Sequence, residues 1–234
     1  MIKSYSELPK NLYRANQVTS LEKLAIQKLG INSYQLMSLA GASVFKTIKK
    51  HFAQTRRLII FTGSGNNAGD GYIVAAMAKL SGMDVEVIQL CAGQNLKGDT
   101  KKAFEYASSS GVTMRPFTDE PLNQNSNARE SIIVDAILGT GINRPIDSWY
   151  QKAIVAVNSF GWPIISVDLP SGLNSDTGCA MGIAVRARIT VTFVGLKQGL
   201  LTGEGQECSG EIVFANLEIP DSIYESNDSP VPSS

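Results

Sequence analysis

Polar residues follow short apolar runs at four places in the chain. The first is the glycine-rich segment 63–71, GSGNNAGDG, which separates an apolar run from a helix-like segment. Glycines let backbone amides approach an anion closely, and the N-terminus of a following helix adds the positive end of its dipole. Asn66, Asn67 and Asp70 add two amides and a carboxylate to a turn that needs only small residues. The segment therefore predicts a site for a phosphate-bearing ligand, and its alternative is a tight turn without a ligand.

Two further apolar runs each end in an aspartate. Asp135 follows the first run and precedes the glycine turn 139–141, whereas Asp168 follows the second and precedes the Pro-Ser-Gly corner 170–172. A single aspartate after a strand is commonly a turn former or a helix cap. Two of them, joined by the asparagine pair at the same end of one sheet, indicate a binding site. Converging oxygen atoms suit a hard cation, a ribose or a polar ring substituent.

The fourth place is Lys197, a lone lysine between apolar neighbours ahead of a glycine turn. It could pair with a carboxylate or phosphate, have its pKa altered by burial, or be solvated, and the sequence leaves these alternatives open. The only histidine, His51, lies beside lysines at the end of a predicted helix, where it suits the negative end of the helix dipole. A single histidine excludes zinc sites built on histidine pairs.

The elements that must position these residues alternate along the chain. Short apolar or β-branched runs predict strands at 58–62, 85–90, 131–134, 164–167, 189–193 and 211–214. Amphipathic segments between them predict helices at 71–80, 100–108 and 148–160. This alternation is typical of a parallel sheet with helices on both faces. In such sheets ligands bind beyond the carboxyl ends of the strands, where the four places lie.

Two helices are predicted ahead of the first of these strands. Thr19 and Glu22 have the spacing of a capping box, and Gly30 stands where that helix would end. Ser33 is the expected cap of the second helix. Further along, the polar segment 118–130 is predicted to be a surface loop. From Asp221 onward the apolar content is low, so residues 221–234 are expected to form a flexible tail or the start of a linker.

The composition excludes several classes of protein. The 234 residues are 43% hydrophobic and carry 21 basic against 21 acidic side chains, so neither nucleic acid nor a membrane surface is an expected partner. The three cysteines lie far apart without a disulfide pattern, and the first residues contain no apolar run of signal-peptide length. We therefore expect a cytoplasmic protein. The glycine-rich segment also approaches a dinucleotide fingerprint, but the next strand ends in Gln-Leu-Cys without the ribose-binding acid, which argues against an NAD-dependent dehydrogenase.

Taken in order, the motifs resemble those of the NAD(P)H-hydrate epimerase family, the N-terminal module of the YjeF proteins. The matching stretches are GSGNNAGDGY, VDAILGTGINRP, VDLPSGLNSDTG and TVTFVGLKQGLLTGEG, and the resemblance runs from about Ser20 to Pro220. It implies a single domain over residues 1–220 with a three-layer αβα Rossmann-like fold around a mostly parallel central sheet, often as a homodimer. Ala68 and Ser38 depart from the family pattern, which has Gly and Glu there.

The resemblance also implies an activity and a partner. Family members repair hydrated NADH and NADPH (NADHX and NADPHX) by interconverting the R and S forms. An ADP-dependent NAD(P)H-hydrate dehydratase, fused or separate, then consumes the S form. The same module also occurs as a non-catalytic protein-interaction domain, which is the alternative function. Because the strand-end asparagines and aspartates are all present here, the enzyme is favoured, while the preference between NADHX and NADPHX stays open.

Site residues are carried over by position. The substrate-binding set is Asn66, Asn67, Ala68, Gly69, Asp70, Gly139, Thr140, Gly141, Ile142, Asn143, Arg144, Pro145 and Asp168. A potassium ion would be held by Asn67, Asp135 and Ser171. Epimerisation requires reversible cleavage of a bond at the carbon that carries the hydroxyl, through ring opening or loss of water. Our hypothesis is that Asp168 is the catalytic acid/base and that Lys197 assists it.

Overall fold

A mostly parallel β-sheet forms the centre of the protein in the computed structural model, which describes residues 2–3, 8–118, 130–225 and 231–232. The strands in chain order are β1 (Ile2–Lys3), β2 (Asn11–Tyr13), β3 (Arg57–Thr62), β4 (Asp84–Gln89), β5 (Thr113–Pro116), β6 (Ser131–Ala136), β7 (Ile164–Val167), β8 (Ile189–Phe193), β9 (Leu196–Lys197), β10 (Glu211–Ala215) and β11 (Val231–Pro232). Within the described ranges the large sheet has the order β1-β10-β8-β7-β6-β3-β4-β5. Only its edge strand β1 runs antiparallel. A small second sheet joins β11, β2 and β9.

Helices cover both faces of the large sheet. They are α1 (Ala15–Leu29), α2 (Ser33–His51), α3 (Asn66–Leu80), α4 (Gly98–Ser109), α5 (Ser148–Ser159), α6 (Gly205–Ser209) and α7 (Asp221–Glu225). Alternate residues of β3 point to opposite faces: Leu58 and Ile60 join the core formed by α1 to α4, whereas Ile59 and Phe61 join the core against α5. This period of two produces the predicted three-layer αβα arrangement, and the fold class is confirmed.

The strand order reverses between β3 and β6. From β3 the chain proceeds through β4 to β5 on one side, and from β6 it proceeds through β7 to β8 and β10 on the other. The carboxyl ends of these two central strands therefore diverge and leave a crevice, which is where open α/β sheets bind ligands. The glycine-rich segment follows β3, and the 139–141 turn follows β6.

Helix beginnings account for most of the differences from the sequence-based expectations. The capping box predicted at Thr19 is wrong, because α1 already begins at Ala15 and the Thr19 hydroxyl donates to the Ala15 carbonyl inside the helix (3.1 Å). The cap of α2 is Asn32 rather than Ser33, since the Asn32 side chain accepts from the Gln35 amide at 2.9 Å. The helix predicted from residue 71 begins five residues earlier, at Asn66.

Two glycines at the start of α3 allow the helix to pack closely against its neighbours. A Cβ atom on Gly69 would lie 2.5 Å from the Met37 side chain, and one on Gly71 would lie 2.6 Å from the Ala136 side chain. These glycines therefore let α3 approach α2 and the sheet, and they are not turn residues. Ala68, which departs from the family pattern, is fully buried in the first turn of the same helix.

The remaining expectations concern the ends and loops of the chain. The structure places a short helix at Asp221–Glu225, where the sequence indicates a flexible tail, because Ile223 buries its side chain against the core (2% exposed). Most of the loop predicted at 118–130 lies outside the described residues. No helix within the described ranges is both long and apolar enough to cross a membrane. All three cysteines are free thiols.

Candidate active site

A cavity of about 550 Å³ lies at the carboxyl ends of β3, β6 and β7. Helices α1 and α2 close one side of it, and the first turn of α3 with the loop after β6 forms the opposite wall. Its lining includes Glu22, Met37, Ser64, Gly65, Asn66, Asn67, Asp70, Asp99, Gly139, Thr140, Gly141, Ile142, Asp168 and Phe193. The strand-end segments singled out from the sequence thus meet in one cavity.

Backbone geometry joins the two loops that flank the crevice. A Cβ atom on Gly63 would lie 2.2 Å from the Ile137 carbonyl oxygen, so only glycine allows the loop after β3 to contact the loop after β6. The Ala68 and Gly69 amides donate to the Gly65 carbonyl at the start of α3, whereas Asn66 and Asn67, whose amides precede them in the first turn, lie at the cavity wall. Together with the 139–141 turn they form the part of the cavity suited to an anionic group.

Asp168 and Lys197 form a buried ion pair at the floor of this cavity. The Lys197 ammonium, 1% exposed, donates to Asp168 Oδ1, to the Thr192 hydroxyl (3.2 Å) and to the Phe193 carbonyl (2.9 Å). All three of its protons are therefore used, which settles the alternatives left open by the sequence in favour of pairing with a carboxylate. β9 positions the lysine, because it pairs with β2 opposite Tyr13.

The backbone of Asp168 is itself unusual. Its φ angle of 64° lies in the left-handed region that residues with a side chain rarely adopt. The Asp168 amide donates to the Val191 carbonyl at 2.7 Å, and its carboxylate accepts from the Phe193 amide at 3.3 Å. Such a conformation persists where surrounding contacts enforce it, and it is frequent at functional sites. Here it presents the carboxylate to the cavity while Lys197 holds one of its oxygens.

Asp135 lies beneath the cavity in a network of hydroxyl and amide donors. Its carboxylate, fully buried, accepts from the Ser166 hydroxyl (2.8 Å), the Ser171 amide (2.9 Å) and the Ser171 hydroxyl. Burial raises the pKa of Asp135, and the hydrogen bonds from Ser171 and Ser166 oppose that shift. Among the described residues no cationic side chain pairs with this carboxylate.

Asn67 completes this lower group of oxygens. Its amide nitrogen donates to the Leu138 carbonyl at 3.0 Å, and the Ser171 hydroxyl accepts from the Leu138 amide at 2.8 Å. Asn67, Asp135 and Ser171 are thereby gathered around one loop residue. The Asn67 side-chain oxygen is buried and has no hydrogen-bond partner among the described residues. An unfilled acceptor beside an uncompensated carboxylate is an arrangement that a bound cation would complete.

Glu22 is a cavity residue that the sequence analysis did not identify. It reaches the cavity from α1, near Asp70 of α3 and Asp168, and it is half-buried. Burial raises the pKa of Glu22; the Lys197 ammonium opposes that shift and the Asp168 charge adds to it. A signal for it existed in the sequence, because Val18, Leu21 and Ala25 form the buried face of α1 and position 22 shares that face.

Not every predicted binding residue lines the cavity. Ala68 and Gly69 are buried in the first turn of α3 behind its wall, whereas Asn143, Arg144 and Pro145 are exposed beyond its rim. The lining carries four carboxylates, on Glu22, Asp70, Asp99 and Asp168, and no lysine or arginine within the described residues. Any phosphate bound here is therefore held by backbone amides and side-chain amides.

Comparison with known proteins assigns the chain to a family. The family model described as "YjeF-related protein N-terminus" matches residues 33–199, a span that contains β3 to β9 and both members of the Asp168–Lys197 pair. The chain belongs to this family. The crystal structure of the yeast protein YNL200c has the same fold, with a TM-score of 0.76, 20% identity and coverage of 95% of this chain and 96% of that one.

Curated relatives of this YjeF-family chain fall into two sizes. A bifunctional NAD(P)H-hydrate repair enzyme of Coxiella burnetii is 33% identical over 91% of this chain but only 42% of its own length. The chain thus spans about two fifths of such relatives. An NAD(P)H-hydrate epimerase of Limosilactobacillus fermentum is 32% identical over 86% of this chain and 94% of its own length.

Proposed function

We propose that this YjeF-family protein is an NAD(P)H-hydrate epimerase, an isomerase that interconverts the R and S forms of NADHX and NADPHX. The observation that carries the proposal is the buried Asp168–Lys197 pair, which presents one carboxylate to the crevice at the carboxyl ends of the central strands. The Limosilactobacillus fermentum epimerase, matched over nearly its whole length, supports it.

The carboxylates of the cavity favour one route for the reaction. When the C6–O bond of the hydrate breaks, the hydroxyl takes a proton and leaves as water, and the lone pair of the ring nitrogen forms an N1=C6 iminium cation. Water then adds to the opposite face of C6 and gives up a proton. The overall change is inversion at C6, without oxidant or reductant. Carboxylates around the ring stabilise the cation that develops, which is the larger share of such catalysis in many enzymes.

Asp168 is the residue we assign to proton transfer in this route. Its negative charge is held against the Lys197 ammonium, so it can accept the proton of the incoming water and stabilise the cation. Lys197 donates all of its protons within the protein, so it is a positioning residue that orients Asp168. This is a narrower role for Lys197 than direct participation in the chemistry.

The residues around Asp135 fit a potassium ion. Asn67, Asp135 and Ser171 would hold it, because the Asn67 oxygen lacks a partner and the Asp135 charge lacks a counter-ion among the described residues. A bound potassium ion would supply positive charge beneath the cavity and order the loops that carry these ligands. Neutral and carboxylate oxygens suit such a hard cation better than a transition metal.

Other parts of the proposal rest on the site and on the relatives. The exposed Arg144, which follows the 139–141 turn, is the candidate for contact with the additional phosphate of NADPHX. The relatives named bifunctional NAD(P)H-hydrate repair enzymes, of which the chain spans about two fifths, support an ADP-dependent dehydratase, fused or separate, as the partner we propose. Three free thiols fit a reducing compartment, and we propose the cytoplasm and a homodimer as the working form.

A coupled assay tests the proposal. A mixture of R and S hydrates is supplied to an S-specific, ADP-dependent dehydratase, which stops when the S form is exhausted. Adding this protein should drive consumption of the remaining R form well above its spontaneous rate. Circular dichroism would confirm that the added protein is folded. If the amount of R hydrate then stays unchanged, the epimerase assignment is refuted, and the non-catalytic interaction module remains as the alternative.

A further inference from the structure

Two carboxyl groups of the cavity wall, on Asp70 and Glu22, have no part in the proton transfers described so far and no hydrogen-bond donor among the described residues. Asp99, which also lines the cavity, accepts from Ser33 and Lys102. Asp70, on the second turn of α3, is 8% exposed, and its carboxyl accepts no hydrogen bond from the described residues. Glu22, on α1, is likewise without a hydrogen bond there. Both line the cavity that holds Asp168. An almost fully buried carboxyl without a donor, directed at a ligand cavity, is an arrangement that stability alone does not favour.

The charges around Asp70 favour its neutral form. Four titratable groups from four elements face one another here: Glu22 of α1, Asp70 of α3, Asp168 after β7 and Lys197 of β9. Burial raises the pKa of Asp70 well above its usual range, the charges of Asp168 and Glu22 raise it further, and the Lys197 ammonium opposes them. Lys197 is committed to Asp168, whose negative charge it neutralises.

We propose that Asp70 is the acid of the epimerisation, and that Glu22 is the positioning residue whose charge keeps that acid protonated. The inference rests on the proposed function. In the forward step the Asp70 O–H bond breaks and its proton joins the departing C6 hydroxyl, the C6–O electron pair leaves with the water, and the ring nitrogen lone pair forms the iminium. In the return step water adds to C6 from the opposite face and its proton passes to Asp168. Proton exchange with solvent then removes that proton from Asp168 and restores the one on Asp70.

The division of labour follows from the two environments. Asp168 has an ammonium and a backbone amide as donors, so its carboxyl group is placed as an acceptor. Asp70 has no donor among the described residues and two acidic neighbours, so it is held as a carboxylic acid. Pairs of titratable groups whose surroundings push them toward opposite protonation states are the usual source of separate acid and base roles in one site.

The pH dependence distinguishes this assignment from a merely structural role. Because the acid form of Asp70 is required, the turnover rate should fall as the pH rises through its raised pKa. Glu22→Gln removes one neighbouring negative charge, so that fall should move to lower pH. Glu22→Asp, which restores a carboxylate, should return the profile toward that of the wild type.

The test combines turnover of the R hydrate with a direct measurement of the proton. Asp70→Asn should lower the turnover number by about 10²–10⁴-fold, the usual contribution of an acid/base group. In the full-length protein, carboxyl-¹³C NMR should show one aspartic acid that stays protonated at neutral pH and is missing from Asp70→Asn. Glu207→Gln, an exposed glutamate on α6, is the matched control and should behave as the wild type.

The outcomes separate the inference from the proposed function. If the wild type does not epimerise the hydrate, the proposed function fails. If the wild type is active and folded Asp70→Asn retains its rate within a few-fold, or if NMR shows Asp70 ionised in the ordinary aspartate range, the assignment of Asp70 is overturned. If Glu22→Gln leaves the alkaline fall at the wild-type pH, the role of Glu22 is overturned.

Discussion

Lys197, on strand β9 of the small second sheet, donates to Asp168, which follows β7 of the main sheet. This contact places a buried ammonium against a carboxylate that lines the candidate active-site cavity. The lysine is 1% exposed and makes two additional hydrogen bonds, whereas the Asp168 side chain retains 16% exposure toward the cavity. The ammonium is thus shielded from solvent and held in place, whereas the carboxylate is accessible from the cavity. The pair therefore has a structural task, and the proposed mechanism gives its exposed end a chemical one.

Lys197→Met tests the structural task. Removing one partner of a buried ion pair leaves the other charge uncompensated, which typically costs about 3–5 kcal/mol. We expect the free energy of unfolding to fall by roughly that amount in urea titrations, because Asp168 would also lose the contact that supports its left-handed backbone. Lys46→Met, at an exposed position on α2, is the control and should change stability little. If Lys197→Met has the wild-type free energy of unfolding, the ion pair does not stabilise the fold.

Asp70→Asn should stabilise the protein at neutral pH. Folding raises the pKa of Asp70, so between the unfolded and folded values the native state keeps a proton that the unfolded chain has lost. The free energy of unfolding therefore falls as the pH rises through that window and stays lower above it, by about 1.4 kcal/mol for each pH unit that separates the folded from the unfolded pKa. The variant lacks this loss, so its advantage should vanish below about pH 3, where both states are protonated.

Thermal denaturation across a pH series measures this difference. Asp84 forms an exposed ion pair with Arg57 and supplies the control. Asp84→Asn should change the free energy of unfolding by less than about 1 kcal/mol at any pH. Equal pH profiles for wild type and Asp70→Asn would contradict the buried neutral acid.

Potassium should stabilise the folded protein if it binds around Asp135. A ligand that binds only the native state raises the unfolding free energy in proportion to the logarithm of its concentration. The melting temperature should therefore rise when about 100 mM tetramethylammonium chloride is replaced by potassium chloride, by roughly 2–4 °C for each kcal/mol of binding free energy. Asn67→Ala and Ser171→Ala should abolish the rise, whereas the exposed Asn16→Ala should keep it. If the melting temperatures of the wild type and all three variants rise equally, the rise is a general salt effect and the proposed potassium site is contradicted.

Gly63→Ala tests the contact between the two loops of the crevice. The added methyl would lie 2.2 Å from the Ile137 carbonyl oxygen, so the loop after β6 must move away. We expect a loss of about 1–3 kcal/mol in stability and weaker substrate binding, because the 139–141 turn is displaced. Gly65→Ala meets no protein atom within 4 Å and is the matched control for stability. Substrate binding by Gly63→Ala equal to that of the wild type would show that the loop contact does not shape the site.

The sequence predicted that two aspartates would lie at one edge of the sheet, for a physical reason. Asp135 and Asp168 follow apolar runs, and parallel strands bring their carboxyl ends to one edge, so the chain pattern alone places these aspartates together. The strand Ile164–Val167, which carries Asp168, was predicted with its observed bounds. Lys197 needed the structure, because its pairing depends on the register between β9 and β2 in a second sheet.

The parts that were missed depend on contacts distant in the sequence. Thr19 and Glu22 have the spacing of a capping box, and only the packing of α1 across the crevice shows that the helix begins earlier and that Glu22 faces the cavity. The glycines of the 63–71 segment read as turn residues, but Gly69 and Gly71 serve the approach of α3 to its neighbours. Local pattern cannot distinguish a glycine that turns the chain from one that admits a neighbouring side chain.

The interconversion of a single purified epimer tests the central claim most directly. The R form of NADHX is incubated with wild-type protein and with Asp168→Asn, and the appearance of the S form is followed by chromatography. The account predicts rapid equilibration by the wild type and a rate about 10²–10⁴-fold lower for Asp168→Asn, with its melting temperature still showing a folded protein. Equilibration by the wild type at the spontaneous rate, or by Asp168→Asn at the wild-type rate, would contradict it.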